Sequence, residues 1–413
     1  MNPQQAERYL LSLELFGMRF GLDRMRRLMT ALGHPERQFA SIHVVGTNGK
    51  SSTTRMIAAI LAHHGLRTGV YLSPHLTAFW ERIRIDDADL PPADFAAAVT
   101  RAARAAELVD RSLDGDDRVT QFEALTAAAY SELARQDVEV AVIEAGLGGR
   151  YDATNVIPST VQVLTSVGLE HTRWLGPTIT DIAREKLAVM QEGGTLVLGA
   201  GLDADAVVVA EALAQQRGAT IVHAGVDPGV AVGAPGTFQR RNFALARAAA
   251  QAYLGELDLA AVAAAAAEVR VPGRLQSVGE APLTLLDGAH NPDAMLALAE
   301  SLPEIVGGHD RLVAVVSILD DKDAAAMLAV LLPACDAIVL TSSQNPRALP
   351  PPTLQSLARQ LGGPPSVLVR DPRAALVRAR ELAGPGGVVL ATGSLYLVAD
   401  LLTPVRGERA SVL

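Results

Sequence analysis

The sequence predicts an α/β protein with two mostly parallel sheets that are flanked by helices. Short runs rich in β-branched residues alternate with alanine- and leucine-rich segments of helical length along most of the chain. This alternation is typical of parallel strands joined by helices that cover both faces of a sheet. The length of 413 residues also favours more than one domain, because a domain has about 150 residues.

The predicted strands form two series along the chain. The first series comprises Ser41–Val45, Thr68–Leu72, Val138–Glu144, Thr160–Ser166 and Thr195–Leu198. The second series comprises Leu283–Leu286, Arg311–Ser317, Ala337–Thr341, Ser366–Val369 and Gly387–Ala391. Helical patterns separate the strands, for example at Ser52–His63, Ala93–Val109 and Gln121–Arg135.

A helical region and a linker are predicted between the two series. The helical region is Asn242–Glu268, and the prolines and glycines of Val271–Pro282 are typical of a linker. We therefore predict an N-terminal domain of residues 1–280 and a smaller C-terminal domain of residues 281–413. The glycine- and proline-rich segment Gly225–Gly236 is predicted to be a surface loop.

Composition excludes several classes of protein. With 36 Lys and Arg against 45 Asp and Glu, the net charge is −9, whereas nucleic-acid-binding proteins are usually basic. The single cysteine, Cys335, excludes an intrachain disulfide and a cysteine-rich zinc site, and we expect it to be a small buried residue. Glu7 and Glu14 interrupt the N-terminal apolar stretch, and no apolar run has the length of a membrane span. We therefore expect a cytoplasmic protein that binds neither membranes nor nucleic acids.

The most specific local pattern lies between the first predicted strand and the helix that follows it. Residues 46–52 read Gly-Thr-Asn-Gly-Lys-Ser-Ser. Glycines let backbone N–H groups face a phosphate, and a helix N-terminus adds partial positive charge. Lys50 would contact the outer phosphates of a nucleotide, and Ser51 or Ser52 would help to hold Mg²⁺. Because Val44 occupies the place of the first glycine of a usual phosphate loop, a tight turn with an exposed lysine is the alternative.

Polar residues follow three other strands of the first series. They are Ser73, Glu144 and His171, and ligands of open α/β sheets bind beyond the carboxyl ends of strands. A hydroxyl, a carboxylate and an imidazole could together hold Mg²⁺ or Mn²⁺, although histidine is an unusual ligand for Mg²⁺. Arg150 and Asp152 lie in the glycine-rich turn after Glu144, where charged groups need partners.

Two further segments are candidate parts of a site. In the second series, Asp287 could accept a hydrogen bond from a ribose hydroxyl and His290 could stack on a purine, although a simple helix start is the alternative. The segment Ile182–Lys186 is predicted to be helical, and its charges could also form a solvated face.

Together these segments resemble the folylpolyglutamate synthases and dihydrofolate synthases, a branch of the Mur ligase superfamily. The similar segments span nearly the whole chain, and their order and spacing are specific. They begin at Phe20 (FGLDRM), His43 (HVVGTNGK), Ser73 (SPHL), Glu81 (ERI), Thr120 (TQFE), Glu144 (EAGLGGR), Glu170 (EHT), Leu175 (LG), Glu185 (EK), Pro272 (PGR), Asp287 (DGAHNP), Ser343 (SQNPRA) and Thr392 (TGSLYL).

The resemblance implies a fold and an activity. The fold is that of a Mur ligase, with an N-terminal P-loop ATPase domain and a smaller Rossmann-like α/β domain that closes the active-site cleft. The activity is an ATP-dependent addition of L-glutamate to dihydropteroate, to folates or to both, through an acyl phosphate and with release of ADP and phosphate. ATP would be a co-substrate, one or two Mg²⁺ ions would be cofactors, and the protein would be a monomer.

The resemblance also implies roles for individual residues. The ATP-binding residues would be Thr47, Asn48, Gly49, Lys50, Ser51, Ser52, Asn242, Arg274, Asp287 and His290. The metal ligands would be Ser73, Glu144 and His171. The pterin or folate would contact Thr120, Gln121, Phe122, Glu123, Arg150, Tyr151, Asp152 and Ala153. Lys186 matches a lysine that the family carbamylates, and it would act in catalysis with Lys50, Glu144 and His171.

Three positions depart from the usual family pattern. Ser51 replaces a common glycine, Glu170 replaces a more usual aspartate, and Leu-Ala rather than Ala-Gly follows Lys186.

Two alternative functions are considered. The first is a Mur-type ligase for another carboxylate, such as a cell-wall precursor, and the second is a nucleotide-binding regulator without chemistry. The segments at Thr120 and Gly393 argue against the first, and the metal-ligand set argues against the second. The choice among dihydrofolate synthesis, polyglutamate extension and both activities stays open.

Overall fold

The structure, a computed structural model, describes residues 1–13 and 21–403. Phe20 and Glu14 lie outside the described residues. The described chain forms an eight-stranded sheet followed by a six-stranded sheet, each with helices on both faces. The predicted α/β class is therefore confirmed.

The eight-stranded sheet is almost entirely parallel. Its strands are β1 (Ala40–Val45), β2 (Thr68–Tyr71), β3 (Ile83–Ile85), β4 (Ala88–Asp89), β5 (Val140–Glu144), β6 (Val161–Leu164), β7 (Thr195–Leu198) and β8 (Thr220–His223). They lie in the order β4-β3-β2-β5-β1-β6-β7-β8, and only β3 and β4 pair antiparallel with their neighbours. The sheet therefore places β1 at its centre, between β5 and β6.

Ten α-helices accompany this sheet in the described ranges. They are α1 (Pro3–Ser12), α2 (Asp23–Ala31), α3 (Lys50–His63), α4 (Pro92–Asp110), α5 (Gln121–Arg135), α6 (Thr172–Leu175), α7 (Ile179–Leu187), α8 (Ala204–Arg217), α9 (Thr237–Leu254) and α10 (Leu259–Glu268). The predicted helical region Asn242–Glu268 is thus two helices, and the predicted loop Gly225–Gly236 lies between β8 and α9. None of the helices in residues 1–13 and 21–403 has both the length and the apolarity needed to cross a membrane.

The six-stranded sheet contains β9 (Gln276–Glu280), β10 (Leu283–Leu286), β11 (Leu312–Val316), β12 (Ala337–Leu340), β13 (Ser366–Leu368) and β14 (Val388–Thr392). Its helices are α11 (Pro292–Val306), α12 (Ala324–Leu331), α13 (Pro351–Gln360), α14 (Pro372–Ala383) and α15 (Leu395–Leu402). The strand order is β13-β12-β11-β14-β10-β9, so the last strand along the chain lies between β11 and β10. Cys335 is free and buried, as predicted.

The predicted linker Val271–Pro282 is wrong for residues 276–280, which form the edge strand β9. This strand pairs antiparallel with β10, from Leu283↔Glu280 to Leu286↔Gln276. Gly279 and Pro282 therefore belong to a β-hairpin, and an edge strand tolerates such residues because one side makes no ladder hydrogen bonds. The sheet thus begins before residue 280, and the domain boundary near that residue stays a prediction.

The centre of the first sheet is buried on both faces, as is usual for parallel strands. Ile42 and Val44 of β1 pack with Met56 and Ile57 of α3, and all four side chains are fully buried. Helix α9 packs against α3 and also contacts β6 and β7. This packing fixes the start of α3 at the carboxyl end of β1, where β5 and β6 also end.

Candidate active site

The predicted phosphate loop joins β1 to α3, and two of its glycines have positive φ. Gly46 has φ 152°, and a Cβ there would overlap the Thr165 hydroxyl. Gly49 has φ 84° and directly precedes α3, and a Cβ there would lie 2.7 Å from Oδ1 of Asn242. Both positions therefore require glycine for conformation and for space.

Residues at the end of β6 hold the main chain of this loop. The N–H groups of Thr47 and Asn48 donate to the carbonyl and the hydroxyl of Ser166, at 2.9 and 2.8 Å. The Thr165 hydroxyl donates to the carbonyl of Asn48 at 2.6 Å. Sequence reasoning did not assign Thr165 or Ser166 to the site, although both lie at the end of the predicted strand Thr160–Ser166.

Two lysines converge on the same loop carbonyl. Nζ of Lys50 donates to the carbonyls of Gly46 and Thr47 at 3.0 and 3.1 Å, and Nζ of Lys186 donates to that of Gly46 at 2.8 Å. Lys186 lies on α7 and is only 4% exposed, so it does not belong to a solvated face. Burial, reinforced by the charge of Lys50, lowers the pKa of Lys186 to about 7.

The carboxylate of Glu144 lies between the phosphate loop and the segment after β2. Its Oε1 accepts a hydrogen bond from the Ser51 hydroxyl at 2.9 Å, and its Oε2 accepts from the N–H of Ser73 at 3.1 Å. Ser52, by contrast, is buried in the first turn of α3. Burial raises the pKa of Glu144, although the charge of Lys50 opposes this shift.

His171 lies within the electrostatic influence of Lys50 and Lys186, and in the described residues it makes no hydrogen bond to Glu144 or Ser73. It precedes α6 in a left-handed conformation, and its Nε2 is 3.9 Å from Oε1 of Glu170. Burial lowers the pKa of His171, and Glu170 opposes this shift. Within the described ranges, no three His, Cys, Asp or Glu side chains group closely enough to hold a metal ion. A site here would therefore rely on Glu144, hydroxyl oxygens, His171 and oxygens of a bound substrate.

Residues from the second sheet complete the surroundings of the loop. Asn291, which begins α11, exchanges two side-chain hydrogen bonds with Asn48, at 3.1 and 3.0 Å. Glu170 accepts from Nζ of Lys322 at 3.0 Å and from Nδ2 of Asn291 at 3.3 Å. Burial alone would raise the pKa of Glu170, but His290, Lys322 and His171 hold it well below its usual value.

Asp287 and Arg274 lie beside each other at the edge of the second sheet. Asp287 is 2% exposed, and its two oxygens accept from the N–H groups of Leu275 and Ala289 at 3.0 and 2.8 Å. Burial raises the pKa of Asp287, and the charge of Arg274 opposes this shift. The carboxylate thereby holds the turn before β9 against the end of β10.

Two other predicted nucleotide contacts flank this region. His290 contacts the Gly288 carbonyl through Nδ1 at 2.8 Å, which leaves Nε2 3.6 Å from Glu170. Asn242 lies on α9, donates to Oε1 of Gln239 at 3.0 Å and faces Gly49. The structure thus places Asn242 beside the phosphate loop and His290 near Glu170, whereas Ser52 and Asp287 are buried.

Most of the segment Thr120–Glu123 builds the start of α5. The Thr120 hydroxyl accepts from the N–H of Glu123 at 3.3 Å, and the Glu123 carboxylate accepts from the N–H of Thr120 at 2.9 Å. Glu123 also pairs with Arg24 at 3.0 Å, and Gln121 donates to the carbonyl of Leu10 at 2.9 Å. These three residues are therefore engaged in structural contacts.

Phe122 differs from its neighbours because its ring is partly exposed. It stacks on Tyr71, with ring centroids 6.2 Å apart and planes inclined by 29°. Atoms Cζ and Cε1 of the ring lie close to Gly146, where a Cβ would clash with them. Phe122 is thus the member of this segment that can offer an apolar surface to a ligand.

The turn after Glu144 separates into buried and exposed residues. Asp152 is buried and accepts from the N–H groups of Leu147 and Thr154 at 2.8 and 3.0 Å. Ala153 is buried, whereas Tyr151 is 47% exposed, and Arg150 pairs with Glu185 at 2.7 Å. Tyr151 therefore reaches the surface next to the buried Asp152.

A buried histidine supports this turn from β1. Nε2 of His43 lies 2.9 Å from the hydroxyl of Thr154, and that hydroxyl donates to Asp152. Because a hydroxyl has one proton to donate, His43 is the donor to Thr154 and carries its proton on Nε2. Burial lowers the pKa of His43 to about 3, so the ring is neutral.

The chain matches two family models and has similar relatives of known name. The Mur ligase middle domain matches residues 44–229, and the Mur ligase, glutamate ligase domain matches residues 273–395. A dihydrofolate synthase/folylpolyglutamate synthase of Mycobacterium tuberculosis is 35% identical over 84% of this chain and 79% of the relative. A probable bifunctional folylpolyglutamate synthase/dihydropteroate synthase of Haloferax volcanii is 34% identical over 98% of this chain. The chain spans 50% of that relative's length.

A solved structure agrees with these matches over nearly the whole chain. Mycobacterium tuberculosis folylpolyglutamate synthase complexed with ADP has a TM-score of 0.88 and 32% identity, with 97% of each chain covered. The Mur-ligase-like fold is therefore confirmed. The chain belongs to the folylpolyglutamate synthase/dihydrofolate synthase family of the Mur ligases.

Proposed function

We propose that this protein is an ATP-dependent ligase that joins L-glutamate to the carboxylate of dihydropteroate or of a folate. The observation that carries this proposal is the position of the Glu144 carboxylate, which is hydrogen-bonded to Ser51 of the phosphate loop and to the main chain of Ser73. The positive charge of Arg274, which precedes β9, acts on Glu144 from the second half of the chain. The names of the relatives and the ADP in the mycobacterial structure support the same activity.

The phosphate loop would bind the nucleotide. The first N–H groups of α3 have no partners within the helix, and the helix dipole favours an anion at this end. In the part of the chain that the structure describes, Nζ of Lys50 bonds only to loop carbonyls, and it would turn toward the outer phosphates when ATP binds. Asn242, Arg274, Asp287 and His290 would contact the nucleotide from the other side of the cleft.

Glu144, Ser73 and His171 would hold Mg²⁺. The carboxylate and the hydroxyl are hard oxygen ligands, and Mg²⁺ in nucleotide sites is held by few protein ligands plus phosphate oxygens. The absence of a three-residue acidic or histidine cluster in the described ranges agrees with such a shared site. The ion would supply neutralising charge for the phosphates.

The reaction would take place in two steps. A carboxylate oxygen of the pteroate or folate attacks the γ-phosphorus of ATP, the bond to the bridging oxygen breaks, and ADP leaves. The amine of L-glutamate then attacks the acyl phosphate, loses a proton and forms the amide as phosphate leaves. Lys50 and Arg274 would offset the negative charge of both steps, so the chain acts mainly by positioning and electrostatics.

Lys186 would act as a carbamate. Its amine is buried and donates to Gly46 in the phosphate loop. After the ammonium loses one proton, the neutral amine would add to CO₂ and lose a second proton, so that a carbamate anion replaces the cation. The carbamate could then hold a second Mg²⁺. Intact-protein mass spectrometry in bicarbonate should show one added CO₂ in the wild type and none in Lys186→Ala. An unmodified lysine in fully active enzyme would exclude this role.

Phe122 and the turn from Arg150 to Ala153 would bind the pterin or folate. Phe122 offers a partly exposed ring, and Tyr151 lies exposed beside the buried Asp152. Thr120, Gln121 and Glu123 would support this site from behind through the start of α5. The predicted monomer and cytoplasmic location stay predictions.

Glutamate-dependent ADP release tests the proposed function. The assay uses dihydropteroate in one series and a reduced folate in the other, each with and without L-glutamate. Release with one or both acceptors that requires glutamate supports the proposal and distinguishes the two activities. No glutamate-dependent release with either acceptor would contradict it.

A further inference from the structure

A small cavity lies beside the phosphate loop, between α3 and the turn that precedes β9. Its volume is about 50 Å³, and it has both halves of the chain in its wall. The polar residues of the wall are Ser51, Arg55, His75, Glu81 and Arg274, and Leu395 is among the apolar ones. Because the Ser51 hydroxyl bonds to Glu144, the cavity adjoins the proposed reaction site.

The wall of this cavity has an excess of positive charge. Arg55 lies one helical turn after Ser51 on α3, and within residues 1–13 and 21–403 it makes no hydrogen bond or ion pair. Arg274 donates to the neighbouring Gly273 carbonyl at 3.0 Å. A guanidinium carries five N–H donors, so both side chains have donors to spare.

Glu81, the acidic residue of the cavity wall, forms no ion pair with Arg55 or Arg274 in the described residues. The Glu81 carboxylate accepts from the N–H groups of Leu76, Thr77 and Ala78, at 2.9, 3.0 and 2.9 Å. Burial, with the charge of Arg84, lowers the pKa of Arg55 to about 10, although Asp89, Asp87 and Glu81 oppose this shift from a distance. Arg55 is half-buried, and a half-buried cation without an ion-pair partner would be stabilised by an anionic ligand in the cavity.

The size and position of the cavity restrict the ligand. A volume of about 50 Å³ admits more than one water molecule and hence a carboxylate group, but not a nucleotide. Arg274 and Leu395 lie in the part of the chain that matches the glutamate ligase domain. Phe122, Tyr151 and Asp152, the proposed pterin contacts, are not in the wall.

We propose that Arg55, together with Arg274, binds a carboxylate of the incoming L-glutamate. This inference rests on the proposed function and names a residue that selects the amino acid. A guanidinium matches the two oxygens of a carboxylate, which an amide cannot replace at the same strength. Arg55 would therefore set the Michaelis constant for glutamate and the enzyme's discrimination against analogues in which an amide replaces the carboxylate. It would have no role in binding ATP.

The test compares Arg55→Gln, Arg55→Lys and a control, Arg378→Gln, whose arginine is an exposed residue of α14 paired with Glu381. Loss of a charge-assisted pair should raise KM for L-glutamate about 10- to 100-fold in Arg55→Gln, with KM for ATP and for the acceptor within about twofold of wild type. Arg55→Lys should give a smaller rise because the charge remains, and Arg378→Gln should match the wild type. ADP affinity, measured by calorimetry, reports that the variants are folded.

L-Glutamine and L-isoglutamine, in which one or the other carboxylate is an amide, distinguish the two carboxylates. The analogue whose amide replaces the carboxylate that Arg55 binds should be a poor substrate of the wild type. Arg55→Gln should lose its discrimination against that analogue and keep its discrimination against the other one. An unchanged KM for glutamate in Arg55→Gln, or an equal rise for ATP, would overturn this inference while leaving the ligase activity intact. A wild type without glutamate-dependent ADP release would instead overturn the proposed function and this inference with it.

Discussion

Asn48 and Asn291 exchange two amide hydrogen bonds although 243 residues separate them along the chain. Asn48 belongs to the phosphate loop, and Asn291 is the residue that caps the N-terminus of α11. The pair is therefore a direct polar connection between the two sides of the cleft. Glu170 adds a second connection through Lys322.

Asn291→Asp tests the connection between the two sides. Aspartate keeps an oxygen for the cap of α11, where Oδ1 of Asn291 accepts from Ala294 at 2.9 Å, but it removes the donor to Asn48 and places a negative charge beside Glu170. We expect kcat/KM to fall about tenfold or more, with little change in thermal stability. Asn291→Ala also loses the cap, which should cost about 1 kcal/mol. Full activity in Asn291→Asp would show that the connection is dispensable.

Lys50→Ala should abolish ATP-driven ligation while the fold stays intact. Nζ of Lys50 bonds only to loop carbonyls within the described chain, so its removal leaves no packed core defect, and the lost charge stabilisation should reduce kcat by about 100-fold or more. ADP release and circular dichroism measure the two effects. A variant that retains activity would count against the proposed role of the loop.

His43 predicts a specific dependence of stability on pH. The pKa of His43 in the folded protein is about 3, below the value of 6.5 for a free histidine. Between pH 3 and pH 6.5 the ring is therefore protonated in the unfolded chain and neutral in the folded protein. The stability contributed by the neutral ring is complete above pH 6.5 and falls as the pH is lowered toward 3. Between pH 8 and pH 5 the wild type should lose about 2 kcal/mol more than His43→Gln.

Glutamine is the matched variant for His43 because its amide can donate to Thr154 from a similar position without titrating. Urea unfolding of both proteins at pH 8 and pH 5 measures the difference, since all other titrating groups are shared. Equal losses of stability on acidification would show that His43 is not held neutral in the folded protein.

Glu123→Gln separates a structural role from a substrate-binding role. The carboxylate pairs with the buried Arg24 and caps α5 with Thr120, so its loss should destabilise the protein by about 1–3 kcal/mol. KM for dihydropteroate should change less than twofold. A rise in that KM without loss of stability would instead assign Glu123 to direct substrate contact.

The local parts of the site could be predicted from the sequence. The phosphate loop has its glycines, lysine and flanking strand within one short segment, and Glu144 ends a strand next to β1 in the sheet. Thr120 and Glu123 were assigned to the substrate and not to a helix start, although Thr-x-x-Glu before a helical pattern is a known start signal. These features depend on neighbours in sequence or on the general rule for strand ends.

The connections across the cleft could not be predicted in the same way. Lys322 reaches Glu170 across 152 residues, and only the assembled sheets bring them together. Strand β9 was missed because its glycine and the following proline favour a turn, whereas pairing with β10 decides its structure. Arg55 appears in the sequence as one charge on a helix, and its lack of a partner becomes visible only when the cavity is formed.

The place of β14 in the second sheet has a consequence for biosynthesis. Among the described strands it comes last along the chain, yet it is the strand that joins β11 to β10. The earlier strands of this sheet therefore cannot take their final order until residues 388–392 have been made. A chain that stops before residue 388 would lack the strand that pairs with both β10 and β11.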